Sequence, residues 1–383
     1  MEQYSEKIIK NLNKNCNNKN KKLNLNCCNL EIIPDIKNYY WIKKLILSNN
    51  EISNINQNKL PINLEILNLN SNNIYNILPL NIPTTIVTLI VTNNKLTNFN
   101  GKLFTSLKTI KLYNNNLITF TYPPKSENID ISINNIKEIN DIMPNTLKKF
   151  ICCNNKLKIL ENINNTLEYI DISNNDFKEL PDLPDTVKDL YCNNCDITAI
   201  IKLPKNLKKL LANNSSINYI TCKFPDSIEE LYLSNNILTN IPKFPNGIKI
   251  IDISDNILNI IDNIPESVTK LDIYNNCDID IPNELFERKN LTINITNDLE
   301  EELDYMNSFD TNNNSDNDNN DLYNYSSYNL NNNYDLYNYS SYNLNNNYNS
   351  LHNYSHNSYF NKFNIKNKKN NINHIKLKRT III

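Results

Sequence analysis

One spacing recurs thirteen times along this chain and limits what it can fold into. Leu45-x-Leu47-x-x-Asn50-x-Ile52 is followed by Leu67-x-Leu69-x-x-Asn72-x-Ile74. The same frame continues at Leu89/Val91/Asn94, Ile110/Leu112/Asn115, Ile129/Ile131/Asn134, Phe150/Cys152/Asn155 and Ile170/Ile172/Asn175. It runs on through Leu190/Cys192/Cys195, Leu210/Ala212/Ser215, Leu231/Leu233/Asn236, Ile251/Ile253/Asn256 and Leu271/Ile273/Asn276, with an earlier copy at Leu23/Leu25/Cys28. Copies lie 19 to 22 residues apart. Asn is abundant throughout the chain, so an Asn column needs an independent check. The prolines supply it: nine of fifteen stand 11 residues before a ladder residue, from Pro61 to Pro265, and five more follow one by six or seven.

Physical chemistry converts this period into an architecture. Leu-x-Leu alternation predicts a short strand with alternate side chains buried. One such strand cannot bury its face alone, so copies must stack into a continuous parallel sheet. The turn leaving each strand carries buried backbone groups that need partners. An Asn amide is donor and acceptor together and can serve the turn and its neighbour. The expected ladder is therefore Cys28, Asn50, Asn72, Asn94, Asn115, Asn134, Asn155, Asn175, Cys195, Ser215, Asn236, Asn256 and Asn276. So short a repeat leaves little room for a return helix. Proline in two columns predicts extended, polyproline-like return segments.

The frame is similar to the leucine-rich repeat. Leu180-Pro-x-Leu183-Pro184-x-x-Val187-x-x-Leu190 and Ile241-Pro242-x-Phe244-Pro245-x-x-Ile248-x-x-Ile251 resemble the short repeats of bacterial effector proteins of that kind. The Asn-rich composition resembles leucine-rich families of large DNA viruses and AT-rich protists. Over residues 23–297 the resemblance implies a β-rich α/β solenoid. That is a horseshoe with a parallel concave sheet and a mostly extended convex side. It implies a module that holds a protein partner. Some such effectors carry a ubiquitin-ligase domain with a catalytic Cys, but no cysteine follows Cys277. The 22 residues before the first repeat are too few for the F-box found in some viral and protist relatives. A substrate-receptor role in a ubiquitin-ligase system, or another host-directed role, remains the alternative.

Chemistry-bearing motifs are sparse. Two glycines exclude Gly-rich phosphate loops and dinucleotide fingerprints. The three histidines, His352, His356 and His374, all lie beyond the repeats, which leaves the solenoid without a general base of that type. Cys192-x-x-Cys195 has the spacing of a metal or redox pair. Both cysteines are already accounted for by the repeat: Cys192 takes the buried second-Leu column and Cys195 the Asn column. Cys152 lies two strands from Cys192, about 9–10 Å at sheet spacing, too far for one zinc. No catalytic residue, metal or cofactor is expected. Net charge is −2, which gives no overall drive toward nucleic acid. The first 22 residues have no apolar signal-peptide core, and no run of 18 apolar residues occurs. An intracellular, cytoplasmic location is expected, with nine cysteines reduced.

The ends differ from the repeats. Residues 1–22 are expected to form a cap, with Ser5 opening a short helix whose Ile8, Ile9 and Leu12 share a face. Residues 298–306, acidic with Leu299, Leu303 and Met306 on one side, read as the opposite cap. Residues 307–383 form a low-complexity tail in which DLYNYSSYNLNNNY occurs at 321–334 and again at 335–348. This tract lacks core formers and is expected to be disordered. It ends in a basic stretch that offers phosphate a weak attraction only.

Candidate binding residues lie between the buried strand positions, on the face expected to be concave. The column runs Ile46, Asn68, Ile90, Lys111, Asp130, Ile151, Asp171, Tyr191, Leu211, Tyr232, Asp252 and Asp272. Its six apolar or aromatic members are expected to be exposed. Tyr113 and Tyr169 flank it. Aromatics beside carboxylates are typical of protein-binding surfaces, although Ile and Tyr also suit strands for their own sake. Thirteen strands make a face about 60 Å long, which suits a macromolecule.

Overall fold

A computed structural model describes residues 21–55, 59–276 and 279–295, all within one compact unit. Residues 1–20 of the expected N-terminal cap, the expected acidic cap and the low-complexity tail lie outside the described residues, and Lys22, placed in the cap by the sequence, opens the first strand instead. Fourteen three-residue strands form one parallel sheet. They are β1 (Lys22–Asn24), β2 (Lys44–Ile46), β3 (Ile66–Asn68), β4 (Thr88–Ile90), β6 (Thr109–Lys111), β8 (Asn128–Asp130) and β9 (Lys149–Ile151). The row continues with β10 (Tyr169–Asp171), β11 (Asp189–Tyr191), β13 (Lys209–Leu211), β15 (Glu230–Tyr232), β16 (Ile250–Asp252), β17 (Lys270–Asp272) and β18 (Thr292–Asn294). Each pairs with the next without a register slip, so Leu45 faces Leu67 and Leu190 faces Leu210. The chain is a parallel-sheet solenoid of about thirteen turns with little helix. Only two single-turn 3-10 segments and α1 (Asn283–Phe286) interrupt the extended return side of the described residues.

The core is one continuous stack. The central residue of every strand from β2 to β17 is fully or almost fully buried, as are the second apolar of each copy and, from Ile52 to Leu258, the apolar residue two past the ladder position, which is Phe177 after Asn175. Between β4 and β9 aromatic residues thicken the stack: Phe99 lies 5.2 Å from Phe104 and 5.9 Å from Phe120, and Tyr122 lies 5.7 Å from Phe150. Two more strands, β5 (Asn98–Asn100) and β7 (Thr119–Thr121), pair there on the return side. Gly101 follows β5 against the carbonyl of Thr121; a Cβ would come within 2.2 Å of that oxygen.

The ladder amides bridge successive turns. Asn175 donates through Nδ2 to the carbonyls of Ile172 (2.9 Å) and Cys152 (3.0 Å), and its Oδ1 accepts from the Leu157 amide (3.0 Å). Asn50 repeats the pattern with Leu47, Leu25 and Leu30. The substitutes reach less far. Cys195 Sγ approaches the Ile172 carbonyl at 3.5 Å, and Ser215 Oγ accepts the Cys195 amide at 3.3 Å and donates weakly to the Asn213 carbonyl at 3.5 Å. A further return-side pair, β12 (Ala199–Ile200) with β14 (Tyr219–Ile220), lies beside these two rungs.

Three features of the repeat are finer than the sequence pattern conveys. The residue before each ladder position, from Cys27 to Asn275, is left-handed, with φ of 51° to 55° in all thirteen copies. Asn tolerates this conformation better than any residue but Gly, which explains the recurrent Asn-Asn doublets in a chain almost devoid of Gly. Ile133 is the β-branched exception, at φ 52°. Second, the proline column does not simply lie in the extended return, as expected. Each of the nine prolines that stand 11 residues before a ladder position opens a turn into the next strand, its carbonyl accepting the amide three residues on, as from Val187 to Pro184 at 3.2 Å. Third, a hydroxyl two residues after that proline position tethers the turn to the preceding one. Thr186 bonds the Leu167 carbonyl (2.8 Å), Ser227 that of Leu207 (2.8 Å) and Ser267 that of Ile248 (2.6 Å).

Two stability outcomes follow. Asn175→Ala strands a buried amide and two carbonyls, at about 1–3 kcal/mol for each group left unpaired, and is expected to lower the urea midpoint of the full chain strongly. Ile133→Asn relieves the left-handed strain and is expected to stabilise by about 1 kcal/mol, read as a higher midpoint at unchanged slope.

Candidate protein-binding face

Uniform register lines up the side chains on either side of each buried strand residue into two straight columns. One runs Lys149, Tyr169, Asp189, Lys209, Glu230 on β9 to β15; the other runs Ile151, Asp171, Tyr191, Leu211, Tyr232 on the same strands. The structure brings Ile151, Tyr169, Asp171, Tyr191, Leu211 and Tyr232 together on adjacent strands. Asp130 lies next to Ile151 on β8. Tyr113 follows β6 farther along the sheet.

None of these side chains is fully exposed. Tyr191, Leu211, Tyr232, Ile151, Asp130 and Asp171 are all half-buried, in contrast with the expectation of an exposed apolar column. Strands about 4.8 Å apart leave no gap between neighbouring side chains, so each covers the flank of the next. The effect is strongest at Asp252 and Asp272, which are register partners and only 4% and 2% exposed. Those two carboxylates belong to the packed surface layer rather than to a free contact surface. Asp272 is bonded by Lys270 Nζ at 2.8 Å and by the Asn294 amide.

The aromatic rings form a contiguous platform. The Tyr169 and Tyr191 centroids are 5.1 Å apart. Lys149 Nζ lies 4.1 Å from the Tyr169 ring, and Lys209 Nζ lies 5.9 Å from Tyr191 and 5.6 Å from Tyr232. Lys209 is also paired with Glu230 at 2.9 Å. Cations over ring faces hold the tyrosines in place. The column of Lys149, Asp189, Lys209 and Glu230 was not singled out from the sequence. Its signal was available, since each stands one residue before a buried strand position and alternates with it.

Burial alters the carboxylates. Asp130, Asp171, Asp189 and Asp252 are all pushed above the ordinary Asp range, desolvation being the main cause in each. The neighbouring Asp130 carboxylate adds to the shift at Asp171, and Asp272 to that at Asp252. Opposing bonds come from residues two positions on. Asp130 Oδ1 accepts from Ser132 N (3.1 Å) and Oγ (2.6 Å), Asp171 Oδ1 from Ser173 N (3.0 Å), and Asp252 Oδ1 from Ser254 N (3.2 Å) and Oγ (2.6 Å).

Four of the described thiols, Cys152, Cys153, Cys192 and Cys195, are buried in the stack. Cys152, Cys192 and Cys195 are at most 4% exposed, and seven cysteines are free among the described residues. Desolvation pushes Cys195 up to about 11 and Cys153 to about 12, and Cys152 and Cys192 well above the usual thiol range. Such thiols stay protonated and are poor nucleophiles and metal ligands. Among the described residues no group of three His, Cys, Asp or Glu side chains is placed to hold a metal ion, and no helix is long and apolar enough to cross a membrane.

No protein-family model and no curated protein matches the sequence. Solved structures do match in fold, and they are leucine-rich-repeat proteins. YopM from Yersinia pestis, described as a leucine-rich effector protein, superposes with a TM-score of 0.61 at 23% identity, over 76% of this chain and 93% of its own. YopM from Yersinia enterocolitica gives 0.60 at 22% identity, over 76% and 68%. The Toll–Spätzle complex of Drosophila gives 0.57 at 15% identity, over 68% and 45%. The chain thus has the leucine-rich-repeat fold.

The buried carboxylates yield a test with a defined sign. A carboxyl raised above its unfolded value destabilises the fold most when it is ionised, and that penalty disappears as pH falls below the unfolded value. Asp171→Asn keeps an acceptor for the Ser173 amide. The variant is expected to melt above the parent at pH 7, with the difference closing toward pH 3.

Proposed function

We propose that this protein is a non-catalytic interaction module that holds a partner protein on the outward face of the main sheet, between β8 and β15. The contiguous platform of Tyr191, Leu211 and Tyr232 on three successive strands, flanked by Tyr169, carries this reading. Partly desolvated, ordered aromatic side chains lose little freedom on binding and are enriched at interface centres. The fold supports it, because fourteen strands paired in one parallel sheet present a broad continuous surface of the size a macromolecule covers. The Toll–Spätzle structure is a complex within the same fold. A location where thiols stay reduced fits the seven free cysteines among the described residues. The description of YopM as an effector favours a second reading, a host-directed effector using the same face.

A photo-reactive residue replacing Leu211 in the full chain, compared with one replacing Ile142, which is 76% exposed on the return side, separates the faces. Cross-linking to a partner protein is expected at Leu211 only, and Tyr191→Ala with Tyr232→Ala is expected to reduce it at least tenfold. Equal yield from both faces, or insensitivity to the tyrosines, would remove the proposal.

A further inference from the structure

Charge is not spread evenly over the two columns of the outward face. From β1 to β6 they contain Lys22, Lys44 and Lys111 and no carboxylate. From β8 to β17 they contain Asp130, Asp171, Asp189, Glu230, Asp252 and Asp272 against Lys149, Lys209 and Lys270. The face is therefore positive toward its N-terminal end and negative over the stretch that carries the aromatic platform. Charges within the sheet offset only part of this: Lys111, the register partner of Asp130, and Lys149 on the next strand lie near that carboxylate without forming an ion pair with it. Glu230 and Asp272 are taken by Lys209 and Lys270, while Asp130 and Asp171 form no ion pair among the described residues. Both are oriented by the serine two positions on, through one oxygen.

We infer that the partner segment seated on this stretch is cationic and apolar: lysine or arginine side chains meet Asp130 and Asp171, and apolar side chains cover Ile151 and the Tyr191–Leu211–Tyr232 platform. This deepens the interaction-module reading and rests on it. The two carboxylates are already oriented and largely desolvated by folding, so an arriving cation meets acceptors that need no further reorganisation. An anionic partner would meet the same carboxylates as like charges. The geometry sets the size of the segment. Asp130 and Asp171 are two strands apart, about 9–10 Å, and β8 to β15 spans five strand spacings, about 24 Å. A helix of about 16 residues covers that distance.

The test uses the full chain and three labelled 18-residue probes read by fluorescence anisotropy. One is an amphipathic Leu/Lys helix, one its Leu/Glu counterpart, and one a Ser/Lys peptide of the same charge as the first. The Leu/Lys probe is expected to bind at least tenfold more tightly than either of the others. Asp130→Asn with Asp171→Asn, which keeps the serine bonds, is expected to weaken it at least tenfold. Lys22→Ala with Lys44→Ala is expected to leave it unchanged. Equal binding of the Leu/Glu probe, or no effect of the aspartate pair, overturns the inference about charge. Equal binding of the Ser/Lys probe overturns its apolar half. If Tyr191→Ala weakens both amphipathic probes alike while the aspartate pair does nothing, the charge inference fails and the binding face stands. If no substitution on the face matters, both fail.

Discussion

The structure depends on satisfying backbone groups in the turn that leaves each strand. These turns are buried between neighbours, where an unpaired amide or carbonyl costs as much as a good contact contributes. One Asn side chain per copy solves the problem in both directions, bonding carbonyls in its own turn and the one before it and accepting an amide from that earlier turn. The left-handed residue preceding it aims the side chain inward. Where Cys195 and Ser215 stand in for Asn, fewer of these bonds are made, and an extra pair of return-side strands lies alongside.

That constraint shapes the outward face of the sheet, the proposed binding surface. Because each turn is tied to the next by the same bonds, the strands cannot slip against one another. Side chains outside the core therefore stack in columns at the strand spacing. Close spacing half-buries them, orders the tyrosines under lysine cations and desolvates the aspartates. A face with this character is suited to holding a partner.

Much of this was legible in the chain. The Leu-x-Leu-x-x-Asn frame locates the strands, and the outward column from Ile46 to Asp272 can be read straight off it. Other features were not legible, for identifiable reasons. Counting positions reveals the proline column but not that each proline begins a turn, since proline suits both extended and turn backbone. The hydroxyls at Thr186, Ser227 and Ser267 were overlooked because their partners are carbonyls about 20 residues away. The near-complete burial of Asp252 and Asp272 depends on what neighbouring strands place beside them, and alternation within one strand does not report it.

The sequence by itself determined the solenoid, because its period admits no other way for thirteen short apolar strands to bury their faces. It also determined which side chains point outward, since alternation along a strand is a local property. Only the tertiary structure decided which of those side chains are accessible, which carboxylates are paired, and where positive and negative charge accumulate. Those properties arise between strands, from distances that no single repeat contains.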